Sequence, residues 1–107
     1  MSQGLVLRTG TFSGTGQSPS AFVWGLFNVS IWGTFVATVQ VERSLDGGTT
    51  WIVVAADGIG TPAAYTSSIS LTGDEIEQGT SYRLNCTAYT SGTINYRISS
   101  GSWRHRV

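Results

Sequence analysis

Residues Ser44-Leu45-Asp46-Gly47-Gly48-Thr49-Thr50-Trp51 lie between two apolar runs, and this arrangement commits the middle of the chain to a β-hairpin. Asp46-Gly47 and Gly47-Gly48 supply the positive φ that hairpin turns need, and the Asp carboxylate and the Ser and Thr hydroxyls can bond turn amides. Ser44, Asp46, Gly47, Gly48, Thr50 and Trp51 are therefore expected to form a self-bracing structural turn. In the run before it, Phe35, Ala37, Val39 and Val41 share one face while Thr38, Gln40 and Glu42 share the other, the pattern of a half-buried strand. In the run after it, Trp51-Ile52-Val53-Val54-Ala55-Ala56 is apolar throughout. That is the pattern of a strand covered on both faces, or of one whose outer face meets another chain.

The turn resembles the Asp-box, Ser-x-Asp-x-Gly-x-Thr-Trp, that recurs in sialidases and other β-propellers, and every position of it is present once. A propeller needs several blades of about 40 to 50 residues each, and 107 residues cannot hold them. Nor can the arginine cluster, acid and nucleophile of a sialidase be assembled here. The resemblance implies a brace and not an active site.

At 107 residues the chain is one domain, long enough to bury roughly two thirds of its unfolded surface. Charged residues make up only 11% and cancel to a net charge of zero, against about a quarter in ordinary domains. A surface so poor in charge is one expected to be covered. All six basic residues are Arg, so there is no broad basic field for phosphate, and no nucleic acid partner is expected from the terminal Arg104-His105-Arg106 cluster. No apolar run reaches the 18 residues of a membrane span, and the first residues lack the basic and apolar regions of a secretory signal, so no membrane partner and no export are expected. Asn28-Val29-Ser30 and Asn85-Cys86-Thr87 match the glycosylation pattern but carry no weight without such a signal.

The chain reads as three parts. Residues 1–20 form an N-terminal arm or a first strand with a flexible, Gly- and Ser-rich connection, residues 21–100 a β domain, and residues 101–107 a tail. Within the domain, strands are expected at 21–24, 27–31, 35–43, 51–56, 65–71, 82–88 and 93–98, with no helical period between them. Residues 73–79 hold Asp74, Glu75 and Glu77 and read as a solvated acidic turn. They lack the alternating oxygen ligands and fixed glycine of a calcium loop. Seven to eight short strands imply an all-β fold, an antiparallel β-sandwich or jelly roll. Phe35, Val39, Val41, Ile69, Leu71, Tyr82, Leu84, Cys86, Ile94, Tyr96 and Ile98 are its expected core.

Chemistry finds few footholds. The one histidine, His105, stands three residues from the end, and Cys86, the one cysteine, falls on a buried face with no histidine near it. One His and one Cys cannot make a zinc site. Carboxylate pairs such as Glu75 with Glu77 or Asp46 with Asp57 sit in turns that already account for them. No enzyme activity, catalytic residue, metal or cofactor is expected. Trp24, Trp32, Trp51 and Trp103 could form a stacking platform for glycans, but aromatics also serve sandwich cores and protein interfaces. Trp32 is out of phase with Phe27, Val29 and Ile31, and Trp51 opens an apolar strand, so at least one of the two is expected to face outward.

Three segments, 27–35, 39–51 and 82–97, carry a wider resemblance. Their order of strand, Arg-Ser-x-Asp-Gly-Gly-x-Thr-Trp, strand, Tyr-Arg-Leu, strand is similar to that of small β-sandwich structural proteins of tailed-phage virions. The resemblance implies a non-enzymatic virion protein, made in the host cytoplasm and placed on the capsid surface. The role expected within it is head decoration, or cement, with the major capsid protein and further copies of itself, as a homotrimer, for partners. Leu5, Val6, Leu7, Phe12, Trp32, Trp103, Arg104 and Arg106 are the expected partner-binding residues. The alternative is a tail, fibre or adaptor component with a glycan-binding attachment role. A cellular immunoglobulin-like domain fits less well, because its paired Cys are absent.

Overall fold

Along β3 (Ala21–Trp32) the side chains of Ala21, Val23, Val29 and Ile31 are buried while Phe22, Trp24, Leu26 and Trp32 are exposed. This period of two gives the strand one face for a core and one for the outside. The computed structural model describes residues 6–55 and 60–100, and the same alternation recurs through most of them. The other strands are β1 (Val6–Phe12), β2 (Gly16–Gln17), β4 (Phe35–Ser44), β5 (Ile52–Val53), β6 (Ala64–Tyr65), β7 (Ile69–Gly92) and β8 (Ile94–Ser100). Their pairings are antiparallel and follow the order β1-β8-β3-β7-β4-β5, with β2 against β7 and β6 against β4. The fold is all-β, as expected.

Two long strands turn this path into a sandwich. The first half of β7 pairs with β3, from Ile31↔Ile69 to Ala21↔Tyr82, and the second half with β4, from Ser44↔Ser81 to Phe35↔Gly92. At Tyr82 the partners are Ala21 and Arg43, and at Cys86 they are Gly16 and Val39, so β2 and β3 hold one edge of β7 and β4 the other. Meanwhile β8 inserts between β1 and the second half of β3. Consecutive in sequence, β7 and β8 do not pair with each other. Val29, Ile31, Ile69 and Leu71 from one layer and Val39, Val41 and Leu84 from the other line a shared interior. Eight of the expected core residues are buried outright, and Phe35, Ile69 and Leu71 pack half-buried against them.

Several expectations need correction. The strands expected at 21–24 and 27–31 are one strand, β3. Of the apolar run 51–56, the described residues 51–55 give only Ile52 and Val53 to a strand, β5, and Ile52 is exposed. Of the arm and first-strand readings for residues 1–20, the described part takes the second, since all seven residues of β1 pair with β8. Phe12 is thereby withdrawn from the surface. It is buried, with its ring 5.1 Å from that of Tyr96, and is a core residue instead of a partner contact.

The acidic stretch 73–79 is not a free turn. It lies within β7, where Thr80 faces Val23 and Glu75 faces Gly25, so residues 76–79 bulge out opposite Trp24 alone. Gly79 supplies the positive φ of 78° that closes the bulge. Glu75 is buried at its base.

Gly92 governs the step from one layer to the next. Its φ is 95°, and a Cβ there would strike the carbonyl oxygen of Thr34, which accepts the Thr93 amide at 3.1 Å. Gly92→Ala is therefore expected to cost about 1 to 3 kcal/mol, measured as a lowered denaturation midpoint. An unchanged midpoint would mean that this crossing relaxes freely.

Candidate interaction surfaces

The hairpin turn builds itself from its own side chains. Ser44 Oγ donates to Asp46 Oδ1 at 2.8 Å and accepts the Gly48 amide at 2.9 Å, while Asp46 Oδ1 accepts the Thr50 and Thr49 amides at 2.8 and 3.1 Å. Trp51 Nε1 donates to the Gly48 carbonyl at 3.0 Å, and Gly47 and Gly48 have φ of 79° and 96°. The Thr50 amide and the Ser44 hydroxyl are the main causes that hold the Asp46 carboxyl down to about 2. A depressed carboxyl stabilises the fold above its unfolded range and loses that contribution as pH falls through the folded value. The turn should therefore stay braced well below pH 4. Asp46→Ala should speed hydrogen exchange at the Thr49 and Thr50 amides while core amides keep their rates. Unchanged rates at those two amides would show that the carboxylate is not the brace.

Beside the turn, Arg83 stacks over Trp51 at 4.3 Å and donates from Nε to Glu42 Oε1 at 2.7 Å. Asn85 donates to Glu42 Oε2 at 3.0 Å and accepts from Gln17 at 3.1 Å. These five side chains tie β2, β7, β4 and the end of the turn into one polar ladder. Sequence reasoning missed the ladder because it depends on register: Glu42 and Arg83 are direct cross-strand partners 41 residues apart.

A second cluster closes the core at the β7 bulge. Arg43 grips Glu75 with two bonds of 2.7 Å, Tyr82 Oη donates to Glu75 Oε1 at 2.7 Å, and the Glu77 amide donates to Oε2 at 2.9 Å. Burial works against the Glu75 charge, but these donors outweigh it and hold the carboxyl below its ordinary value. Burial first, and Glu75 second, push the Tyr82 phenol up. Every oxygen of this carboxylate is engaged from within the fold, so the cluster reads as a clasp for the bulge.

Outside the core, Phe22, Trp24 and Leu26 are 64%, 52% and 41% exposed. They stand two residues apart on the outer face of β3, a strip about 13 Å long. Ile76 in the facing bulge is exposed beside it. Among the expected partner-binding residues, Leu7 and Trp32 are exposed and Val6 is half-buried against the core. Leu5, Trp103, Arg104 and Arg106 lie outside the described residues. Further along the same face, Asn28, Ser30, Ser70 and Ser99 form an uncharged hydrogen-bonded group. Exposed apolar area of this kind, when it runs to a few hundred Å², marks interaction sites.

Among the described residues, Cys86 is not placed as a nucleophile. The Cys86 thiol is buried and donates weakly to the Ala88 carbonyl at 3.5 Å, and burial raises it. Among the described residues no three His, Cys, Asp or Glu side chains gather as metal ligands would. His105 lies outside the described residues.

No family model matches this sequence, and no curated protein matches it either. Among solved structures there is a similarity to the Drosophila melanogaster CENP-C cupin domain, with a TM-score of 0.45 and 11% identity. It covers 90% of this chain and 59% of that one, so this chain spans about three fifths of its length.

Proposed function

We propose that this chain is a structural protein of a tailed-phage virion, a decoration protein that covers the head shell and stabilises it as an oligomer. The observation that carries the reading is the outward strip of Phe22, Trp24 and Leu26 on β3, three large apolar side chains exposed in a row. Buried ion pairs hold Glu42 and Glu75 within the fold, leaving few charges to oppose contact with another protein. Such contacts need about 800 Å² per partner, and three linked subunits would gain avidity without new contacts. The partners in this reading are the major capsid protein and two further copies of the chain. Leu7, Trp32 and the residues on either side of the described region supply contacts to neighbours.

Co-sedimentation with expanded empty heads of the encoding phage tests the reading. The chain should saturate the heads, and Phe22→Ser with Trp24→Ser should lower occupancy at least about tenfold at an unchanged melting temperature. Undiminished occupancy by the double variant would overturn the assignment of this face.

A further inference from the structure

Among the described residues, the charged side chains of Arg97 and Glu77 stand outside every ion pair and hydrogen bond. Arg43 is held by Glu75 and Arg83 by Glu42, while Arg8 donates to the carbonyls of Ser20 and Leu7 and Asp46 is enclosed in its turn. Asp74 is also engaged. Arg97 and Glu77 are both exposed. Arg97 lies on β8 beside Ser30 of β3, and Glu77 lies in the β7 bulge that faces Trp24, six residues back along β3. Six residues of strand span about 20 Å, farther than the two side chains reach together. The pair that would neutralise them cannot form within one chain.

Each of the two has an apolar neighbour. Tyr96 and Ile98 are buried, so Arg97 points outward between its cross-strand partners Thr9 and Ser30. Trp32, exposed on the same face, pairs with Asn95 and is therefore the diagonal neighbour of Arg97. Such neighbours lie about 7 to 8 Å apart, within reach of aromatic and long side chains. In the bulge, Glu77 follows Ile76, whose side chain is 90% exposed. The bulge is braced from below, since the Glu77 amide donates to Glu75 Oε2 at 2.9 Å and the Thr80 hydroxyl donates to the Glu77 carbonyl at 2.9 Å. A knob ordered in advance loses little freedom on docking. Isoleucine beside carboxylate on the knob matches indole beside guanidinium on the sheet, apolar to apolar and anion to cation. We infer that the β7 bulge of one copy docks on the next copy of the chain, Glu77 on its Arg97 and Ile76 on its Trp32. Knob and platform are different patches, so the contact runs head to tail and closes into a ring where the rotation allows. In the oligomer proposed above, on which this contact rests, it joins the copies and leaves Phe22, Trp24 and Leu26 to the shell.

Sedimentation velocity of the intact chain at micromolar concentration tests it. The parent should run as a closed oligomer. Arg97→Glu and Glu77→Arg should each weaken association at least about tenfold, because like charges then face each other, and Ile76→Ser should weaken it several-fold. All three side chains are exposed, so the variants should keep the far-ultraviolet circular dichroism of the parent. Arg97→Glu combined with Glu77→Arg should restore association. The contact is overturned if the parent is a monomer, if either single reversal associates as the parent does, or if the double reversal stays dissociated. Head binding is a separate readout. An oligomer held by this contact that leaves heads bare defeats the decoration reading alone, and a monomer that covers heads defeats this contact alone.

Discussion

Val39→Asp is expected to abolish the cooperative thermal transition of this protein at neutral pH. Val39 is wholly buried in β4, paired to Cys86 on one side and Tyr65 on the other, and it lines the interior with Val29, Ile31, Val41 and Leu84. Nothing in that lining can donate to a carboxylate except the Tyr65 hydroxyl, so the substitution buries a charge with no cation to meet it. The cost should be at least about 4 kcal/mol, most of the stability of an ordinary small domain. Val39→Ala separates the charge from the lost volume. It should remain folded at a cost of about 2 kcal/mol. If Val39→Asp melted like the parent chain, the two layers could not be closed over this residue.

The second large effect is expected at Glu75. Glu75→Ala removes the acceptor for both Arg43 bonds, the Tyr82 hydroxyl and the Glu77 amide. Arg43 is partly exposed and can recover water, which holds the cost to about 3 kcal/mol, at the lower end for a broken buried pair. Arg43→Met combined with Glu75→Met should recover most of that loss, because neither partner is then left unpaired. A double variant no more stable than Glu75→Ala would mean that the bulge, and not the pairing, sets the cost.

The pH dependence has a definite sign on each limb. The carboxyl of Glu75 is depressed in the fold, so its contribution is present above the unfolded range near pH 4.3. It is lost as pH falls through the lower folded value. The Tyr82 phenol is raised, so its contribution is present below about pH 10 and is lost as pH climbs toward the folded value. Glu75→Gln should flatten the acid limb.

How legible each feature was depends on how one-sided its strand is. Around Val39 and Leu84 polar and apolar residues alternate, so the buried face could be read directly. In β3 both faces are apolar at the start, Ala21 and Val23 against Phe22, Trp24 and Leu26, and alternation cannot say which set faces outward. Phase alone narrowed the outward tryptophan to Trp32 or Trp51, and the structure exposes Trp32. The turn at Asp46 was legible because its hydrogen bonds are local. Glu75 was not, because its partner Arg43 is 32 residues away and a run of acids ordinarily means solvent. Phe12 followed the same logic: its flanks are loop-like, and only pairing with Ile94 takes it into the core.

The most direct test of the decoration reading is electron cryomicroscopy of expanded empty heads incubated with the purified chain. The account predicts ordered trimers at fixed lattice positions, with the Phe22, Trp24 and Leu26 face against a protein neighbour. Heads that remain bare at saturating concentration of a folded chain would contradict it.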